Sequence, residues 1–300
     1  MPQPMTVLLL LLIFGLGAVA AWVVGPTKER RWGALLVVGW ALFVPLLLRD
    51  GTPLEVGGLS LISIAGTMRV WDLIQIKEPT TPLWRQAFLF AFFDIRLMKR
   101  ERPPHLVHLL LTGILFLGGM ALAGVVAAGA TDQVEGWAGF VLRWMAGTTF
   151  FYCFVDGADR FYRGLYGLAG LTMPPMQSNP ILSTSVANFW SSRWNAEVHR
   201  WVKRHVFLPF TRRVGSGWAM LAAFAFTALV HAWPTALALQ DKGAILWMGL
   251  FFVVQGVLLG LERILRVHHW PTPLARVWTV TVMLVTAPLF VEPGLQLVGY

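Results

Sequence analysis

A second cysteine is missing: Cys153 stands alone in 300 residues, which excludes an internal disulfide and leaves the redox compartment unread. Charge is scarce as well, at 13% of residues against 56% hydrophobic, with a mean hydropathy of +0.63. So apolar a chain of this length is not a soluble domain, and it reads as a polytopic membrane protein. Acidic residues are few, 15 against 24 basic ones. In a soluble protein the resulting +9 would point to nucleic acid, but here most cations stand in short loops between apolar runs, where topology accounts for them first. Histidine boxes are lacking too. His105 with His108, the isolated His199 and His205, and the adjacent His268 and His269 form no His-x-x-x-His or His-x-x-His-His, which argues against a di-iron oxygenase. Paired Asp-rich motifs for a magnesium diphosphate are absent, Asp156-Gly157-Ala158-Asp159 being a single, imperfect one that reads more readily as a cytoplasmic helix end with Arg160 and Arg163. No Lys or Arg precedes the first apolar run, so Ala18-Val19-Ala20 is read as part of a retained span. Internal repeats and low-complexity tails are not visible, and residues 1–300 are expected to form one domain.

What the chain has is apolar runs, near 5 to 24, 33 to 48, 56 to 74, 106 to 130, 136 to 157, 217 to 238, 244 to 262 and 275 to 291. They predict an all-α membrane protein of about eight transmembrane helices, with interfacial amphipathic helices between them. Assigning the loops alternately puts nineteen cations on one side and two, Arg49 and Lys242, on the other. That asymmetry predicts both termini outside and the long basic loops, 75 to 103 and 158 to 216, in the cytoplasm. Within the first of these loops Trp84, Phe88, Phe90, Phe92 and Phe93 alternate with charge, which reads as an interfacial or re-entrant helix over 81 to 99. Gly164, Gly167, Gly170, Pro174, Pro175 and Pro180 exclude one continuous helix over 164 to 182.

The least membrane-like stretch follows, from Val186 to a basic cluster at Lys203 and Arg204. Taken as one helix over 189 to 205, it gathers Trp190, Trp194, Trp201 and His205 within a sector of about 60°, with Arg193, Arg200, Lys203 and Arg204 opposite. Asn195 and His199 share a third face. Indoles in the headgroup layer and cations toward water or phosphate suit an interfacial helix, and nothing in amphipathicity alone asks for more.

The residues themselves do. Phe189-Trp190-Ser191-Ser192-Arg193-Trp194-Asn195 resembles the signature of the wax synthase branch of the membrane-bound O-acyltransferase superfamily, in which Phe-Trp is followed by Arg-Trp and then Asn or His. The family's second element, a histidine in a later apolar helix, has its counterpart in His231. The resemblance covers about residues 181 to 233 and departs at Ser192 and Ala232, where the family usually has a glycine and often an acidic residue. It implies transfer of an acyl group from acyl-CoA, as co-substrate, to a hydrophobic alcohol or other hydroxyl acceptor, with no metal and no further cofactor. His231 would be the general base and Asn195 the partner of the thioester carbonyl or its oxyanion, with Trp190, Trp194, Arg193, Arg200, Lys203 and Arg204 on the substrate.

The residue chemistry is compatible. An ionisable residue deep in an apolar span is costly unless it faces a cavity or a partner, and Pro234 withdraws a backbone donor and crowds the Val230 carbonyl beside His231. A neutral imidazole can accept the proton of an alcohol, and an uncharged amide can donate to an oxyanion. A histidine hydrogen-bonded between helices and an Asn serving as a cap are the plain alternatives. Arg193 can clamp a phosphate or pair with Glu197, and Arg69, Asp72 and Arg143 can pair among themselves. Two other functions stay open on residues alone: a transporter or lipid-binding channel with His231 and Arg143 on its pathway, and an isoprenoid-modifying enzyme using the same cavity.

Overall fold

The computed structural model describes residues 8, 9, 12, 15, 19, 39, 43–48, 51–76, 81–90 and 94–300. The runs expected to span at 5 to 24 and 33 to 48 lie wholly or mostly outside these, as do Lys28, Arg30, Arg31, Arg49, Lys77, Phe92 and Phe93. Among the described residues the chain is all-helical, and four helices are long and apolar enough to cross a membrane, or five with a bent pair counted as one. The chain divides into two compact units, residues 1–95, 230–245 and 296–299 in the first and 96–229, 246–295 and 300 in the second.

In the first unit, helix α1 (Pro53–Gln75) opens on a capping box: Glu55 N donates to Thr52 Oγ1 and Thr52 N to Glu55 Oε2, with Pro53 at the first helical position. The run expected at 56 to 74 is thus a helix, but not one of those apolar enough to span. Its N-terminal half packs Val56 and Leu59 on Leu9, Leu48, Leu237 and Ala238, and its C-terminal half packs Val70, Leu73 and Ile74 on helix α2 (Pro82–Phe90). The interfacial helix expected over 81 to 99 is therefore shorter, and its aromatic side turns inward: Phe88 is fully buried, stacked on Trp84 at 5.4 Å and capped by the Arg69 guanidinium at 5.3 Å.

The second unit is built on an antiparallel pair, α3 (Leu106–Gln133) and α4 (Trp137–Leu168). The two approach closely because glycines face the partner along the seam: a Cβ on Gly113 would lie 2.7 Å from the Phe161 nitrogen, and one on Gly164 would lie 2.5 Å from Leu110. The glycines read as breakers at 164 and 167 thus lie inside a helix and serve packing, while the break after Leu168 falls at Gly170, whose φ is +73°. Helix α4 also continues from 157, the expected end of a span, to Leu168. Its polar turns are held by ion pairs one turn apart, Asp156 with Arg160 at 3.0 Å and Asp159 with Arg163 at 3.4 Å.

After Leu168 the chain runs without regular helix through residues 170–179 into the motif, then through α5 (Ala196–Val202) to α6 (Leu208–Leu239, two helical pieces broken at Gly215, whose φ is 82° and ψ 166°), α7 (Lys242–Leu265), α8 (Thr272–Thr286) and α9 (Pro288–Leu297). The run expected at 275 to 291 is bent by 48° between α8 and α9, where Pro288 opens the new helix. Arg143 finds its partner within its own unit. It reaches Glu292 of α9, with Nε donating to Oε2 at 2.9 Å and Nη2 to Oε1 at 3.1 Å.

Candidate active site

The single helix expected over 189 to 205 is interrupted. Phe189–Arg193 form a π-turn, Trp194 is extended with φ −108° and ψ 125°, and Asn195 is left-handed with φ 43° and ψ 60° before α5 begins. The spacing of the motif explains the turn. Trp194 N donates to the Phe189 carbonyl five residues back, which brings the two rings into a stack at 5.4 Å and 14°. Asparagine tolerates the left-handed region better than other non-glycine residues, and Asn195 also caps α5, its Oδ1 accepting from Val198 N at 3.3 Å.

The common sector expected for four aromatic residues is therefore lost. Trp190 packs among Phe224, Phe251 and Phe252 with ring centres 6.0 to 6.2 Å away, and Trp194 tilts toward Tyr152 at 6.4 Å. Trp201 stacks on Phe226 at 5.6 Å and keeps His205 beside it at 4.7 Å. These indoles pack on the protein. The i, i+4 relation of Asn195 and His199 does survive, since His199 N donates to Asn195 O at 3.0 Å.

Arg193 holds the preceding loop. Its Nε donates to Asn188 Oδ1 at 2.9 Å and its Nη1 to the carbonyls of Ser178 and Asn179 at 2.8 and 3.3 Å. Glu197, the expected i+4 partner, instead lies 2.6 Å from Arg200. The loop closes on the motif from its own side as well: Ser178 N donates to Arg193 O, and Ala196 N to Met176 O, each at 2.9 Å. Gln177, buried between them, has its side-chain amide 3.2 Å from both Arg193 O and Asn195 N, and it donates to the first and accepts from the second when the amide nitrogen faces Arg193 O. Asp159 Oδ1 accepts from Met176 N at 3.0 Å, so the second aspartate of the imperfect metal motif braces this loop, while Asp156 pairs with Arg160 in its own helix. Among the described residues no cluster of three His, Cys, Asp or Glu side chains could hold a metal ion.

Two residues that the sequence reading passed over hold the front of the motif. The Glu262 carboxylate, 5% exposed, accepts from Val186 N at 2.7 Å, Ala187 N at 3.2 Å and Trp278 Nε1 at 2.9 Å. Gln255, fully buried, accepts from Trp190 Nε1 at 3.2 Å and donates to Thr286 Oγ1 at 2.9 Å. Behind the motif Lys203 and Arg204 are exposed, on a second π-turn (Lys203–Phe207).

His231 belongs to the first unit. It is half-buried in α6, its carbonyl accepts from Thr235 Oγ1 at 3.0 Å, and Pro234 and Thr235 beside it are buried.

Residues 134–253, a stretch holding the motif and His231, match the model of the MBOAT, membrane-bound O-acyltransferase family. Three Arabidopsis thaliana proteins are similar. The probable long-chain-alcohol O-fatty-acyltransferase 9 is 28% identical over 146 residues, 42% of this chain and 43% of that protein. The probable long-chain-alcohol O-fatty-acyltransferase 2 is 33% identical over 116 residues, 35% of this chain and 33% of the other. The probable long-chain-alcohol O-fatty-acyltransferase 3 is 30% identical over 142 residues, 41% and 40% of the two chains. These matches cover less than half the length of each relative. The resemblance to the wax synthase-like branch, read first from seven residues, is thereby borne out.

Proposed function

We propose, from a membrane-bound O-acyltransferase match that includes both Asn195 and His231, that this chain is a membrane-embedded, wax synthase-like O-acyltransferase. It would move an acyl group from acyl-CoA to a hydroxyl acceptor, a long-chain alcohol being the acceptor class named for the relatives. The observation that carries the reading is the coincidence of that match with a motif whose aromatic, arginine and asparagine side chains are each engaged in a defined shape.

In the reaction His231 takes the hydroxyl proton, the alkoxide attacks the thioester carbonyl, and the tetrahedral intermediate expels the CoA thiolate, which recovers the proton from the imidazolium. Asn195 steadies the carbonyl oxygen as charge develops there. Its Oδ1 is engaged by Val198 N, so the donor it offers is Nδ2. These roles rest on the likeness of the motif. The reading is tested by lipid mass spectrometry of membranes carrying the chain and supplied with acyl-CoA and a long-chain alcohol. Ester formation above membranes carrying His231→Ala supports it, and equal ester in both sinks it.

CoA is made in the cytosol, and the exposed Lys203 and Arg204 with Arg200 would meet its phosphates, while Trp190, Trp194 and Arg193 shape the wall behind. Neutralising Lys203 and Arg204 together is expected to raise KM for acyl-CoA about tenfold and to leave kcat near normal, because phosphate contacts act equally in ground and transition states. An unchanged KM would assign the two cations to membrane orientation alone.

The orientation that goes with this has one eight-span domain over 1–300, both termini outside and the motif on the cytoplasmic side. Gln133→Cys and Val214→Cys, each in a Cys153→Ser background, should then be labelled by an impermeant maleimide from the outside and from the cytoplasm respectively. Labelling of both from one side would break the span count.

A further inference from the structure

Helices α7 and α8 present two polar side chains each toward one another at matching intervals. Gln255 and Glu262 stand seven residues apart on α7, and Thr286 and Trp278 eight apart on α8, so each pair is spaced by about two helical turns on one face. Gln255 meets Thr286 and Glu262 meets Trp278, the crossed order of antiparallel neighbours. Both links also grip the motif: Glu262 takes the amides of Val186 and Ala187, and Gln255 takes the Trp190 indole.

Each grip is specific to its side chain. At the start of a helical turn the amides have no intrahelical acceptor, and Ser185 Oγ satisfies only Asn188 N, at 2.8 Å. The Val186 and Ala187 amides are met by a carboxylate from 76 and 75 residues further along the chain. A carboxylate is acceptor-only and serves three N–H groups at once, whereas Gln255 sits where one acceptor and one donor are required and a primary amide supplies both. Buried polar groups in such a place are costly unless fully satisfied, and here both are matched.

We infer that Gln255 and Glu262 are positioning residues: two cross-links between α7 and α8 that hold the front of the Phe189–Asn195 turn in its reactive shape. The inference rests on the acyltransferase reading for the word reactive, and on geometry alone for the hold. Neither residue touches the motif's far end, so the effect on Asn195 passes through the π-turn that joins Phe189 to Trp194.

The test replaces Glu262 by Gln, which keeps size and one acceptor oxygen but cannot accept three N–H groups equally well. Glu292→Gln, the same exchange at a half-buried carboxylate paired elsewhere in the same unit, is the control. In purified protein, hydrogen exchange of a peptide covering residues 183–190 should accelerate about tenfold in Glu262→Gln and stay unchanged in Glu292→Gln. Per folded molecule, kcat should fall between about tenfold and a hundredfold with KM for acyl-CoA within about twofold, since a small misplacement of a reacting group acts on the chemical step. If Glu262→Gln fails to insert, Trp278→Phe takes its place, removing one donor of three while keeping an aromatic ring. Unchanged exchange in residues 183–190 overturns the inference, and so does faster exchange with an intact kcat. Should the unaltered protein form no ester with any alcohol, the acyltransferase reading falls, while the exchange measurement still decides whether the cross-links hold the turn.

Discussion

His231→Ala and Asn195→Gly are each expected to abolish measurable ester formation in folded, membrane-inserted protein, while His199→Ala retains most of it. Glycine is the informative replacement at 195. It removes the amide yet accepts the left-handed φ of 43°, and as a cap it falls short of asparagine by only a few tenths of a kcal/mol, so lost activity cannot be put down to a misfolded turn. Removing one donor to a developing oxyanion typically costs a factor of about a hundred to a thousand in kcat. Removing the base leaves the hydroxyl proton with no acceptor. His199 lies one turn further along α5, beside the paired Arg200 and ahead of the exposed Lys203, where a histidine contributes at most a contact at the rim of the site. Variants of matched thermal stability would be compared for ester product by mass spectrometry. A dead His199→Ala alongside an active Asn195→Gly would replace the assigned pair by His199 with His231.

Glu292→Leu should destabilise the protein by about 3 kcal/mol, the low end of what breaking a buried ion pair costs, because it leaves the buried Arg143 without its half-buried carboxylate. Arg143 is 8% exposed, and its guanidinium is bound along its Nε–Nη2 edge by both oxygens of the Glu292 carboxylate and otherwise by the oxygens of Ala127 and Tyr300, at 3.0 and 3.1 Å. Trp144 Nε1 also donates to Glu292, at 3.3 Å, so the change strands an indole N–H as well as a cation. Arg143→Met combined with Glu292→Leu should recover most of the loss, because an apolar pair of similar volume carries no desolvation penalty in that place. Thermal unfolding in detergent measures both. A single Glu292→Leu variant within about 1 kcal/mol of the parent would mean that water reaches the Arg143 side chain.

The helices and the motif were legible to different depths. Hydropathy is a local property, so the runs at 106 to 130, 217 to 238 and 244 to 262 announced their helices. The end of α4 was not legible in the same way, because the residues that carry it from 157 to Leu168 are polar and are held by Asp156–Arg160 and Asp159–Arg163 pairs that hydropathy scores as loop. The motif showed which residue types matter. Its shape depends on partners remote in sequence, the Ser178 and Asn179 carbonyls for Arg193 and the Glu262 carboxylate for the Val186 amide, so a helical wheel over 189 to 205 assumed a regularity that those partners remove. One signal was available and went unused. Glu262 is an acid at the end of an apolar run, and the cost of burying charge, which singled out His231, singles it out on the same ground.

The π-turn also makes the segment a matter of length. A turn closing on its fifth neighbour holds one residue more than an α-turn, so the stacking of Phe189 on Trp194 counts residues as strictly as it selects them. Ser191, which is exposed, is open to exchange by almost any small or polar side chain, whereas Ser192 Oγ donates to Asn188 O and accepts from Asn188 Nδ2, both at 2.9 Å. Deleting either one, or adding a neighbour, would move the left-handed position off Asn195 onto Ala196 at the helix start or onto Trp194 before it, neither of which takes it as readily as asparagine. Between Phe189 and Asn195 this chain can vary in spelling and cannot vary in number of letters.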